Sequence, residues 1–246
     1  MKNNTILDQI DAAIIISANI EWNVIREIFP SVEVNFSPFG EWFIENISII
    51  SDENNVEKKI KVIYFQGGWG KISAAASTQY IIDCWKPKLV LNLGTCGGFK
   101  DEIDRGTLIL AEKTIVYDIY EQMFSSQDHI DYYTTELDVS WIKEDFPVKL
   151  VKTVLVSGDK DLSYKDIPKL KDDYQAVAGD WESGAIAFIS RLNRTPAIIL
   201  RGVTDLVSKD GGEAYTDVEI FERNTRGIIT KLVQILPYIF KSSKFL

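Results

Sequence analysis

Three features of this 246-residue sequence predict an α/β fold built on a mixed sheet. First, short continuous apolar runs rich in β-branched residues, such as Ala12-Ala13-Ile14-Ile15-Ile16-Ser17-Ala18, have the character of strands buried on both faces. Second, helical patterns intervene between such runs, as they do where crossovers join parallel strands. Third, Trp42 to Ile50 and Ile60 to Phe65 flank the polar stretch Asp52-Glu53-Asn54-Asn55, which predicts an antiparallel hairpin. The length suits one domain, residues 1–246, with a substantial core.

Taken in order, the strand Ala12 to Ala18 leads into a helix from about Glu21 to Phe29. Pro30 stops that helix, because proline lacks the amide hydrogen and clashes with the preceding turn. Val32 to Phe36 opens a set of extended segments completed by the hairpin. Gly67-Gly68-Trp69-Gly70-Lys71 then leads into a helix from Ile72 to Trp85, whose Ala74, Ala75 and Ala76 allow close packing on the sheet. Leu89 to Leu93 is a buried strand ending in Gly94-Thr95-Cys96-Gly97-Gly98. Leu108 to Leu110 and Thr114 to Tyr117 are further strands. Residues 119–148 are the least regular stretch, with Tyr120, Met123, Phe124, Tyr132 and Tyr133 set among polar residues. They read either as an ordinary packed loop or as a loop at a subunit contact or over a pocket. Val151 to Val156 leads into Ser157-Gly158-Asp159. Asp180-Trp181-Glu182 precedes a small-residue helix, and Ile198 to Leu200 runs into Arg201-x-x-x-Asp205. Val218 to Ile235 is a closing amphipathic helix that Pro237 stops or kinks.

Composition excludes several functions. A net charge of −9 argues against a nucleic-acid surface, which needs clustered Lys and Arg. Two cysteines, Cys84 and Cys96, support no disulfide framework and fit a reducing compartment. The first residues lack the apolar core of a signal peptide, and no apolar run approaches the ~20 residues of a membrane span. The expectation is a cytoplasmic protein with no membrane association. A single histidine, His129, reads as a surface residue and leaves no basis for most metal or triad chemistry, so no metal and no organic cofactor are expected. Cys96 lacks a histidine base and reads as small-residue packing.

The remaining chemistry lies with carboxylates. Open α/β sheets build their sites at the carboxyl ends of strands, where three expected loops stand, Ala18 to Trp22, Gly94 to Gly98 and Arg201 to Asp205. The Gly-rich turn has neither nucleotide-binding fingerprint. Glu21, Glu182 and Asp205 are the candidates. One carboxyl held protonated can donate to a leaving group, while another held ionised activates water, the division of labour in glycosyl transfer to water. Each also has a plain structural reading: first-turn helix charges for Glu21 and Glu182, and a backbone-bonded loop residue for Asp205.

Four ordered stretches carry a resemblance across about Ala12 to Leu236. They are Leu91-Asn92-Leu93-Gly94-Thr95-Cys96-Gly97-Gly98-Phe99, Val156-Ser157-Gly158-Asp159, Trp181-Glu182-Ser183-Gly184-Ala185-Ile186-Ala187 and Arg201-Gly202-Val203-Thr204-Asp205. The chain resembles the nucleoside phosphorylase superfamily, and within it the 5′-methylthioadenosine/S-adenosylhomocysteine nucleosidases. The resemblance implies a three-layer α/β/α fold around a mixed, partly barrel-like sheet, and a homodimer. It implies cleavage of the bond between adenine and a 5′-thio-substituted ribose. Asp205 would protonate the purine at N7, with Thr204 orienting it. Glu21 would activate water, positioned with Arg201, and Glu182 would hold the ribose hydroxyls. Gly97 would line the substrate site.

Phosphorylases of the superfamily place an Arg just before the Gly-Thr/Ser turn to bind phosphate. Here that neighbourhood is Asn92-Leu93-Gly94-Thr95, which favours water as the acceptor over phosphate. A phosphorylase and a non-catalytic nucleoside-binding protein are the alternatives. Several positions depart from the family pattern. Trp181 stands where Met packs on the sugar, and Gly67 where a Ser hydroxyl lies near the water. Tyr117-Asp118 replaces a His-Asp pair, and the loop before Glu21 is about one residue short. Trp181 and Gly67 are therefore expected to reshape the ribose and water end of the pocket together.

Overall fold

The computed structural model describes residues 9–50, 56–142, 146–215 and 218–246. The described strands form one sheet. At its centre β1 (Ala12–Ile16) lies parallel to both β5 (Leu89–Phe99) and β4 (Glu57–Gln66). All five β1 residues are buried, as a strand covered on both faces requires. The hairpin is present. β3 (Gly40–Ile50) pairs antiparallel with β4 from Trp42↔Phe65 to Ile50↔Glu57, and short β2 (Asn35–Ser37) flanks β3. The polar turn expected at residues 52–55 lies outside the described residues.

Beyond β5 the sheet curls into a ring. β5 pairs with β10 (Ala197–Ser208), β10 with β6 (Leu108–Val116), β6 with β8 (Leu150–Ser157), β8 with β9 (Ala176–Asp180), and β9 with β5 again. This closed mixed ring is the barrel-like part of the sheet. Two stretches expected as loops are strand within it. Gly94 to Gly98 continues β5, and Arg201 to Asp205 continues β10. Closure explains this: their backbone groups find partners on two sides, so glycines and charged residues stay extended. The two strands expected at 108–117 are one, β6, with a register shift between Ala111 and Lys113. The small pieces β7 (Thr135–Glu136) and β11 (Gly211–Gly212) extend the edges.

Helices cover the sheet. α1 (Asn19–Ile28) follows β1, and α2 (Gly70–Trp85) follows β4. α5 (Ser183–Leu192) packs against α2, with most of its side chains buried. α6 (Val218–Gln234) lies over β10, and α7 (Leu236–Ser242) begins at the turn that Pro237 imposes. Two helices were not legible in the sequence: α3 (Ser126–Tyr133), within the irregular stretch, and α4 (Ile167–Tyr174). His129 is exposed on α3. Trp22 and Trp85 are core residues, while Trp42 packs edge-on to Trp85 and Trp141 edge-on to Phe245. No helix among the described residues is long and apolar enough to cross a membrane.

Candidate active site

The ends of β5, β9 and β10 and the start of α1 converge on a cavity of about 300 Å³. Glu21, Gly97, Trp181, Glu182, Thr204 and Asp205 line it, together with Asp180, Trp69 and Thr95. Arg201 lies against it, fully buried.

Glu21 is held by β5. Its Oε1 accepts from the Thr95 amide at 2.6 Å and from Thr95 Oγ1 at 2.9 Å, and its Oε2 receives only a longer bond, from the Ala18 amide at 3.3 Å. The last contact is the helix-start role that the sequence also allowed. Burial raises the Glu21 carboxyl above its ordinary range, outweighing the Arg201 charge and the Thr95 and Ala18 bonds that oppose it.

Glu182 stands at the N-cap of α5 but does not cap that helix. Its Oε1 accepts instead from the Gly70 amide at the start of α2, at 3.0 Å. Burial and the neighbouring Asp180 charge push Glu182 up to about 8. Asp205 is raised by burial too, against the bond from Thr204 Oγ1 at 2.7 Å and one from the Ala214 backbone. Thr204 Oγ1 also reaches the Cys96 carbonyl at 3.3 Å, and Asn224 holds the Thr204 carbonyl at 2.9 Å. A Cβ on Gly97 would lie 3.2 Å from Leu162 and 3.9 Å from Asp205 Oδ2, so glycine keeps the space beside the acid open. The Cys96 thiol is pushed well above its usual range by burial and is a packed side chain, not a thiolate.

Arg201 has two partners that sequence reasoning missed. Its Nε donates to Asp180 Oδ2 at 2.5 Å and its Nη2 donates to Asn92 Oδ1. Burial pulls the guanidinium down, but the Asp180, Glu21 and Glu182 carboxylates overcome it and hold Arg201 charged. Asn92 lies in the stretch, Asn92 to Thr95, where the resemblance expects a phosphate-binding Arg in phosphorylases. The signals for both partners were local. Asn92 is the lone polar residue of an apolar run, and Asp180 precedes Ser183 at the spacing of a helix-start cap.

Gly67 is not among the residues that line this cavity. Its amide donates to the Ile16 carbonyl at 2.7 Å, which draws the residue against β1. A Cβ there would lie 2.5 Å from Ile15 Cγ2. The partner of Trp181 is instead Trp69, 71% exposed at the cavity rim, with ring centroids 5.6 Å apart and planes 16° from parallel.

A sequence model of the phosphorylase superfamily matches residues 44–236, and the chain belongs to that superfamily. Relatives in it include nucleosidases. A 5′-methylthioadenosine/S-adenosylhomocysteine nucleosidase of Buchnera aphidicola subsp. Schizaphis graminum is 27% identical over 179 residues, covering 66% of this chain and 74% of the relative. The structure of the nucleosidase of that name from Helicobacter pylori, with butyl-thio-DADMe-Immucillin-A, superposes with a TM-score of 0.74 at 18% identity, covering 93% of this chain and 98% of the other. The Campylobacter jejuni enzyme superposes with a TM-score of 0.73 at 16% identity, covering 93% and 99%. The fold is that of the nucleoside phosphorylases, as the sequence predicted.

Two outcomes test this geometry. Gly67→Ser forces a side chain against Ile15 and is expected to cost ~1–3 kcal/mol in urea unfolding, with unchanged m-value; stability equal to the parent would place Gly67 in open space. Glu182 is raised in the folded state, so its contribution to stability is complete below its unfolded value and lost as pH rises through about 8. The melting temperature of the free protein should therefore fall between about pH 5 and about pH 8, and Glu182→Gln should flatten that fall. An identical slope in the variant would remove Glu182 as its source.

Proposed function

We propose that this protein hydrolyses the N-glycosidic bond of an adenine nucleoside, 5′-methylthioadenosine or S-adenosylhomocysteine, to adenine and a ribose derivative. The observation that carries the reading is the set of three buried carboxyls, Glu21, Glu182 and Asp205, all raised above their ordinary range around one cavity beside a single buried arginine. A binding protein has little need of both a proton donor and a water base. The names of the superfamily relatives point the same way.

In this mechanism Asp205, whose carboxyl burial raises, passes a proton to purine N7 as the C1′–N9 bond breaks, the bonding electrons leaving with the base. The positive charge left on the ribosyl ring is stabilised by the carboxylate-rich wall. Glu21 takes a proton from a water at Oε2, its less engaged oxygen, and the water oxygen bonds to C1′. Glu182, with Oε1 tied to Gly70, presents Oε2 to the ribose 2′- and 3′-hydroxyls. Asn92, which engages Arg201 through its amide, supports water as acceptor because it carries no charge for phosphate. No cofactor takes part. The protein acts in the cytoplasm as a homodimer, with Tyr120, Met123 and Phe124, all strongly exposed, in the subunit contact.

The direct test is a product assay on the purified protein with 5′-methylthioadenosine, with and without phosphate. Free adenine and a reducing sugar, independent of phosphate, are expected. Phosphate-dependent sugar phosphate would make the protein a phosphorylase, and no product from a nucleoside panel would leave it a binder. Asp205→Asn should lower kcat by ~10²–10⁴-fold with little change in KM. Sedimentation should give a dimer that Phe124→Lys converts to monomer; an unshifted dimer would place the contact elsewhere.

A further inference from the structure

Arg201 and Glu21 approach each other across Gly94. A Cβ on that residue would lie 2.6 Å from Arg201 Nη1 and 3.0 Å from Glu21 Oε1, so only glycine leaves both side chains room. Yet no hydrogen bond or ion pair joins them among the described residues. A buried arginine beside a buried glutamate would ordinarily close a bidentate pair. Here the fork is engaged elsewhere. Nε is paired with Asp180, Nη2 is bonded to Asn92, and Nη1 has only a 3.4 Å contact with the Leu200 carbonyl.

Asp180 is itself rigidly fixed. Its Oδ1 accepts from Ser157 Oγ at 2.9 Å, Ser183 Oγ at 2.8 Å and the Ser183 amide at 3.2 Å, which leaves Oδ2 directed at Arg201. Asn92 is anchored in the same way, its Nδ2 donating to the Ile15 carbonyl at 2.9 Å. The two anchors come from separate strands, β9 and β5, and hold the guanidinium from two directions.

We propose that Asp180 is a positioning residue, seconded by Asn92, that competes with Glu21 for Arg201 and so keeps Glu21 unpaired as the base. The inference rests on the reading of Glu21 as the group that activates water. Arg201 then acts on the water site through its field while its hydrogen bonds are spent on Asp180 and Asn92. The other groups facing Glu21 are Thr95, an uncharged donor on β5, the Cys96 thiol on the same strand, the Ala18 amide at the start of α1, and Glu182 at the start of α5. Arg201 is the one cation among them. If Asp180 loses its charge, Arg201 turns to Glu21, and a paired Glu21 is both a weaker base and harder to protonate.

The experiment is the pH profile of kcat/KM for 5′-methylthioadenosine in the parent and in Asp180→Asn, with the carboxyl of Glu21 followed by ¹³C NMR in the substrate-free proteins. Asp180→Asn is expected to lower kcat at neutral pH by about tenfold or more, with KM within about threefold, and to move the acid limb down by about one pH unit. The Glu21 titration should move with it. Asn92→Leu keeps side-chain size while freeing Nη2, and should shift both in the same direction if Asp180→Asn does not fold. An active parent whose acid limb and Glu21 titration stay fixed in these variants, even with a reduced rate, would overturn the proposal and leave Asp180 a structural residue. A parent that releases no adenine would instead overturn the reading of the site on which the proposal rests.

Discussion

The burial of Arg201 is the constraint around which the rest of the site is arranged. A guanidinium out of water is tolerated only when its charge and its donors are met, because the desolvation cost of an unpaired ion exceeds what any single packing contact returns. The protein meets them with Asp180 and Asn92, each anchored in turn by hydroxyls or a backbone carbonyl. That requirement fixes three strands relative to one another. Arg201 is on β10, Asn92 on β5 and Asp180 at the end of β9, and all three strands belong to the closed ring. The ion pair and the ring closure therefore depend on each other. The same closure brings Glu21, Glu182 and Asp205 to one cavity from elements far apart in sequence.

Raised carboxyls follow from this arrangement. One cation shared among several buried acids cannot neutralise them all, and the cavity wall gives the surplus charge little water. Glu182, nearest in charge to Asp180, carries much of this burden and is lifted to about 8. A site that must both deliver and accept a proton near neutral pH needs acids outside their usual range. The displacement here comes first from desolvation, to which neighbouring carboxylates add at Glu182 and Asp205.

Much of this was legible in the sequence, for physical reasons. The apolar runs of β1 and the first half of β5 mark strands covered on both faces, and the hairpin declared itself by its polar interruption. The continuation of β5 through Gly94 to Gly98, and of β10 through Arg201 to Asp205, was hidden, because local composition there suggests a turn and only ring closure supplies the partners. α3 and α4 are eight-residue helices with one and two buried side chains, too few for a period to show. β9, Ala-Val-Ala-Gly-Asp, lacks the branched apolar content of a strand and is extended because its neighbours demand it. At the site, Glu21, Trp181, Glu182, Arg201, Thr204, Asp205 and Gly97 are where the family resemblance led one to look. Asp180 was overshadowed by the carboxylate two residues on. The setting of Gly67 against Ile15 was hidden because nothing in a glycine says which face it turns inward, and the Trp69–Trp181 stack joins residues 112 positions apart.

The acidic wall has a consequence for ligand choice. Glu21, Asp161, Asp180, Glu182 and Asp205 line the cavity, with Lys160 and the committed Arg201 as the nearby cations. Lys160 is already engaged with Asp166. A ligand bearing phosphate groups would meet no guanidinium free to receive it, because Arg201 is committed to Asp180 and Asn92. A neutral or zwitterionic nucleoside needs no such group. The placing of Arg201 between Asp180 and Asn92 thus leaves its guanidinium unable to serve as a phosphate-binding group.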